Sequence, residues 1–294
     1  MTNDFKPESN KYNDHKYNDR EWAEKKQAEK DAVYKMIDET TESIMQDGNK
    51  FKDFLDTQAR LDRYSSANAL LIYNQYPLAT QLKEFADWAD EKVSINKGAK
   101  SILILEPVEY AKNDGRTGIS YNVKKVFDVS QTKGKQTTAP TINRDPKHLI
   151  AAMLDASPVN VESTETLPYP DMAAFFDNDK QTLFVKRDVG DSVKLCQCIA
   201  QEIGHAQLSV NNDIYSRKDM HFHAVCVGYM LCRKYGVDTS RFGVDHLPEE
   251  WIGKDCRSAR AELTKMRTAM RDIHSRVSEE LYRQKQERAK EHSR

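Results

Sequence analysis

The sequence predicts an α+β protein: N-terminal helices with a small antiparallel sheet, then a mostly helical second domain carrying a β-hairpin, and a long C-terminal helix. Three observations lead there. Between Tyr64 and Gln131 the apolar period switches from helical to alternating. Around Ala173 two short apolar runs flank Asp177-Asn178-Asp179 and lead into a helical stretch from Ser192. From Arg257 onward, Ala259, Leu263, Met266, Met270, Ile273, Val277 and Leu281 recur at heptad-like spacing.

Residues 1–20 are polar, with too little apolar surface to offset the entropy of ordering, and predict a disordered tail. From Glu21 to about Met45, the stripe of Ala28, Ala32, Met36, Ile37 and Ile44 predicts a charged scaffold helix. Phe51, Phe54 and Leu55 continue into the core. Leu70 and Leu71 mark the next helix, Phe85 and Trp88 another, and Pro77 breaks the chain between them. Ser101–Leu105 reads as a strand ended by Pro107, with Val123–Val129 as its partner. The composition of 136–145 is that of a linker, dividing a unit over 21–135 from one over 146–256, with 257–294 as a helix and basic tail. Pro146 suits a helix start, whereas 156–170 show no period. Asp191 or Ser192 caps the next helix, Gly236 ends the one after it, and the segment up to Trp251 packs back on the domain.

Across 294 residues, 45 basic side chains face 46 acidic ones, and a net charge of −1 offers no global argument for nucleic acid. No apolar run is long enough to span a membrane, and the N-terminus carries no apolar secretory segment. Five cysteines without framework spacing suit a reducing cytosol, so a cytoplasmic protein is expected, its thiols serving as packing groups. Locally the charge is uneven: from Lys92 to Lys135 there are nine Lys/Arg and four acids. Tyr110, Tyr121 and Phe127 interleave with these lysines, while Tyr64, Tyr73 and Trp88 come from the helices. A cationic groove with aromatic faces is what single-strand binding requires, although Trp88 and Phe127 read rather as core.

The order Tyr64-Ser65-x-x-Asn68-x-Leu70-Leu71-Ile72, Gln75-x-Pro77-x-Ala79-Thr80, Trp88, Lys97-Gly98-x-Lys100 and Val126-Phe127-Asp128-Val129-Ser130-Gln131-Thr132 resembles ArdC-like antirestriction proteins, and more closely the LtrC-like proteins of conjugative elements. That resemblance implies a domain over 21–135 that binds single-stranded DNA with little sequence preference, through Tyr64, Asn68, Tyr73, Lys97, Lys100, Tyr110, Tyr121, Lys124 and Lys125. It also implies a zincin-like domain over 146–256, and a role on a mobile genetic element in protecting transferred DNA or in antirestriction.

A zincin places His-Glu-x-x-His on a helix, so that two imidazoles share a face on zinc and the Glu activates a bound water. Here the motif reads Gln201-Glu202-Ile203-Gly204-His205, with Gln in place of the first His. His221 and His223 stand where the next helix would offer an acid. Gln201, His205 and His223 are the candidate metal set, for a weak or altered site, zinc the ion they would take, and Glu202 the base if the site is active. A Gln carbonyl is a poor zinc ligand, so no cofactor and a domain without catalysis are expected. Two alternatives remain: a metallopeptidase with an altered Gln-Glu-x-x-His site, and an adaptor that binds a protein partner through the C-terminal helix.

Overall fold

A computed structural model of the chain describes residues 11–112, 114–134 and 145–291. Three helices open it: α1 (Lys11–Met45), α2 (Gly48–Arg60) and α3 (Ser66–Gln75). Helix α1 begins well before Glu21; of the expected disordered tail, residues 1–10 lie outside the described part, while 11–20 are the first turns of α1. The stretch contains no Gly or Pro, so a helix nucleated by its packed half propagates outward. Asp47 caps α2 and Ser65 caps α3 through their side-chain oxygens.

Next come β1 (Leu82–Glu84), α4 (Phe85–Asp90), β2 (Ser94–Ile95), β3 (Ile102–Ala111), β4 (Thr117–Asp128) and β5 (Thr132–Lys133). The three-stranded sheet runs β1-β4-β3, all antiparallel, and β2 pairs with β5. Strand β3 does not stop at Pro107, which pairs with Tyr121 inside the hairpin. As an edge strand, β3 can carry a residue without an N–H where that position faces away from β4.

The outward edge of β3 is covered by side chains. Asn68 donates from Nδ2 to the Leu105 carbonyl (2.8 Å) and accepts the Leu105 N–H at Oδ1 (2.8 Å). Gln75, two turns along α3, does the same for Leu103 at 2.9 Å in each direction. The two amides act as a surrogate strand, and Pro107 falls in the same outward phase as Leu103 and Leu105. Replacing Asn68 with Leu leaves both polar groups of buried Leu105 unmatched, at an expected cost of about 2–4 kcal/mol in urea unfolding. Wild-type stability in that variant would remove the role.

The remaining elements are α5 (Pro146–Asp155), β6 (Asn160–Thr164), β7 (Ala174–Asp177), β8 (Thr182–Lys186), α6 (Ser192–Val210), α7 (His221–Tyr235) and α8 (Cys256–Glu291). The hairpin β7–β8 forms as expected, and β6, which the sequence did not announce, adds to β8 in parallel. Asp191 caps α6, and Gly236 ends α7 with φ 72°, the left-handed conformation that glycine adopts freely. Gly204 and Gly228 allow α6 and α7 to pack closely: a Cβ on Gly228 would lie 3.0 Å from the Gln201 backbone.

One core joins these parts. Val33, Ile37 and Ile44 of α1, Phe51 and Phe54 of α2, and Leu70 of α3 belong to the same buried cluster as α6, α7 and α8. The heptad-like stripe of α8 lies in that cluster from Ala259 to Leu281, so it packs within the chain. This is the stripe that the adaptor alternative needs exposed. The expected linker, 136–145, falls outside the described residues except at Asp145, which caps α5. All five cysteines are free; Cys196, Cys226 and Cys232 are buried, and Cys198 and Cys256 partly so. Among the described residues no helix is long and apolar enough to cross a membrane.

Candidate functional site

Helix α1 buries one flank in the core and presents the other to β4. Lys30 reaches the Ser120 hydroxyl (3.4 Å), and Glu29 lies 3.5 Å from the Lys125 ammonium. Between helix and strand runs a groove of about 550 Å³, lined by Trp22, Lys26, Lys30, Tyr121 and Lys124 among others. Tyr121 also lines a second cavity of about 540 Å³, shared with Tyr34, Arg63, Tyr64, Ser66 and Arg267. Trp22 is 64% exposed, Tyr121 40% and Tyr34 39%, so partly open aromatic rings line the groove (Trp22, Tyr121) and the second cavity (Tyr34, Tyr121).

The residues singled out from sequence divide. Tyr64, Tyr121 and Lys124 line the two cavities, and Lys125 stands beside the first through Glu29. Lys124, however, is held by Glu106 (2.6 Å) and Glu84 (2.5 Å), which raise its pKa and cancel its charge at long range. Asn68 is committed to the β3 edge. Tyr73 packs edge-on against Phe54, 6.2 Å between centroids, and faces a different cavity with Asp56, Arg60 and Arg233. Tyr110 is exposed near the hairpin turn, and Lys97 and Lys100 are exposed at the opposite end of β3, roughly 30 Å away at about 3.3 Å per residue. Trp88 is core: it is 3% exposed and donates its indole N–H to the Phe127 carbonyl (3.0 Å). The α1 residues and the arginines of α8 were not found from sequence. The only signal was charge on the far side of a stripe read as scaffold.

The second centre lies on α6. Glu202 is fully buried against β7, where Oε2 accepts the Phe176 N–H (2.8 Å) and Oε1 accepts from the Arg217 guanidinium (2.7 Å). Arg217 also donates to the Phe176 carbonyl (3.2 Å) and lies over the Phe175 ring, 4.6 Å from its centroid. Burial raises the Glu202 pKa, and Arg217 and the Phe176 amide pull the other way. His205, also fully buried, bonds the Tyr215 hydroxyl through Nδ1 (2.7 Å), while its Nε2 has no partner. Burial, with Arg217 and His221 nearby, pushes its pKa down to about 2, so the imidazole stays neutral. The exposed ring of His221 stacks on His205 at 5.6 Å, interplanar angle 25°.

His223 is not at this centre's heart. Its Nε2 bonds Glu262 of α8 (2.7 Å), and its ring meets Trp251 edge-on at 5.0 Å. That hydrogen bond holds the Glu262 carboxyl down to about 2. The α7 residue that faces His205 is therefore His221. Tyr215, Arg217 and His221 carry this centre together with α6, and none follows from the Gln-Glu-x-x-His pattern.

No protein-family model matches the sequence. The uncharacterised protein pXO2-81 of Bacillus anthracis is 22% identical over 271 residues, covering 73% of this chain and 46% of the relative, so the chain spans about half the length of the curated relative it matches. The Mn(II)-bound crystal structure of antirestriction ArdC protein from R388 plasmid aligns with a TM-score of 0.50 at 13% identity, over 74% of this chain and 85% of that one. The chain has the ArdC fold. The metal-free ArdC structure aligns with a TM-score of 0.49 at 14% identity, over 75% and 86%.

Within this ArdC-like fold the donors at α6 do not fit a metal. The first ligand position holds Gln201, and Glu202 is already neutralised by a guanidinium that would repel a cation. His223 is turned to Glu262 through its Nε2, and the ring nitrogens left buried without a partner among the described residues are His205 Nε2 and His223 Nδ1, two atoms where zinc needs more. Zinc takes three or four protein ligands. Among the described residues no group of three His, Cys, Asp or Glu side chains is arranged to supply them.

Proposed function

We propose that this protein binds single-stranded DNA with little sequence preference, as a cytoplasmic mobile-element protein that protects transferred DNA or acts in antirestriction, and that its zincin-like part does not catalyse. One observation carries the first half: three exposed aromatic rings, Trp22, Tyr34 and Tyr121, line adjoining cavities together with Lys26, Lys30 and Arg63. Stacked bases and neutralised phosphates are the two terms of single-strand affinity. The antirestriction role extends what the ArdC structures are named for. The Arg217–Glu202 ion pair supports the second half, because a carboxylate that accepts from both a guanidinium and a backbone amide is poorly placed to take a proton from water.

The test is fluorescence anisotropy of a labelled single strand of ~30 nucleotides at two salt concentrations, with duplex competitor. Binding should weaken with salt and resist duplex. Trp22→Ala with Tyr121→Ala should lower affinity about thirtyfold or more, from roughly 1–3 kcal/mol for each of the two lost stacks. Lys125→Glu should weaken binding more than Lys124→Glu, since Lys124 is already matched by two carboxylates. No binding by the full chain would end the reading.

A further inference from the structure

We propose that the C-terminal helix α8 forms part of the DNA site: the cavity beyond Tyr121 is a seat for one unstacked nucleotide, its base against Tyr34, Tyr64 and Tyr121 and its phosphate at Arg63 and Arg267. This rests on the single-strand reading above and extends it to a part of the chain otherwise read as scaffold.

Four features of the cavity point to a nucleotide. Its volume of about 540 Å³ suits a small ligand, in the range of roughly 300–1,000 Å³ that such sites occupy. Its walls combine three tyrosines with three arginines, Arg63, Arg260 and Arg267, and no carboxylate lines it. Arg260 is matched by Asp38, but among the described residues Arg63 and Arg267 make no ion pair. Asp62, one of the acids that influence Arg267, is itself paired with Lys234 (2.6 Å).

The third feature is unspent hydrogen bonding. Ser66, only 3% exposed, belongs to the wall of the cavity, and its hydroxyl is buried without a partner. The Nε of Arg267 is likewise buried without a partner, although one terminal nitrogen donates to the Arg63 carbonyl (3.1 Å). Buried polar groups left unmatched cost free energy, and a phosphate or a base edge that parts the wall covering these two atoms would match them. Finally, the seat is continuous with the groove. Tyr121 lines both, so a strand running between α1 and β4 can turn one base inward there. A duplex holds its bases in the stack and pays to release one, whereas a single strand does so at low cost.

The full-length protein would be irradiated with a thymidine 30-mer carrying 5-iodouracil, and the crosslinked peptides identified by mass spectrometry. Anisotropy with the unmodified 30-mer would compare wild type with Arg63→Gln/Arg267→Gln. The seat predicts crosslinks at Tyr34 or Tyr64, affinity lower by about tenfold or more in the double variant, and a salt slope reduced by about 0.7, the value for one phosphate contact on a single strand. Wild-type affinity and slope in a folded double variant, or crosslinks confined to the Trp22 end of the groove, would overturn the seat and leave single-strand binding standing. Absence of any binding by wild type would instead remove the underlying reading, and the seat with it. Should the double variant fail to fold, the crosslinks decide, because they need no substitution.

Discussion

Glu202→Gln is expected to destabilise the protein by about 3 kcal/mol, an effect on folding in the first place. In a working zincin the same change is sterically quiet and removes the base. Here the carboxylate is wholly buried and accepts from two donors, Arg217 and the Phe176 amide. A Gln amide offers one acceptor, so its NH2 must point at one of those donors, and the guanidinium loses its counter-charge. Breaking a buried pair from one side typically costs 3–5 kcal/mol; the lower end applies because the Arg217 side chain is 28% exposed. Replacing both residues with Met should recover much of the loss, since an apolar pair leaves no uncompensated charge. Urea unfolding of the two single variants and the double variant measures this directly. A Glu202→Gln protein within about 0.5 kcal/mol of wild type, the range of ordinary surface substitutions, would show that the pair does not hold the fold.

Residues 11–134 expressed without the rest should not fold. Phe51 of α2 stacks on Phe222 (5.8 Å) and meets Trp251 edge-on (6.0 Å), both beyond the expected linker. Asp56 accepts from the Tyr229 hydroxyl (2.6 Å) and from Arg233 (2.7 Å), and Asp62 pairs with Lys234 (2.6 Å). Losing these partners exposes several large side chains of the shared core, at roughly 1.5–3 kcal/mol each. That sum rivals the ~5–15 kcal/mol by which whole domains are stable. The fragment should give a poorly dispersed amide NMR spectrum and no cooperative melt, whereas a dispersed spectrum would establish an independent N-terminal domain.

Local signals carried much of the architecture. The break at Pro77, the Asp177-Asn178-Asp179 turn, the Asp191 cap, the Gly236 stop and the α8 stripe all depend on neighbours in sequence, and all are present in the fold. Other features depend on what lies opposite. Strand β6 has no buried residue and so shows no alternation, and its pairing with β8 comes from contact alone. His221 and His223 are two residues apart on α7, about 200° around the axis, and which of them faces His205 follows from the rotation of the whole helix. The motif residues Asn68, Gln75 and Asp128 lay in a stretch associated with DNA, yet their side chains bind backbone. Asp128 accepts the Thr80, Gln81 and Ser130 amides and is 1% exposed. A pattern kept for folding and one kept for binding look alike in a string of letters. The groove escaped notice for the opposite reason: its walls come from α1, β4 and α8, far apart along the chain.

The amides that cover β3 also bear on what this chain does in a crowd of its own copies. An open edge on a long strand is a template on which a second molecule can build, and fibrils begin that way. Here Asn68 and Gln75 occupy the outward positions at Leu105 and Leu103, and Pro107 supplies no donor at the next. Three successive attachment points are thus closed to an incoming strand, which protects the protein against self-templated aggregation at the concentrations where unshielded sheets assemble.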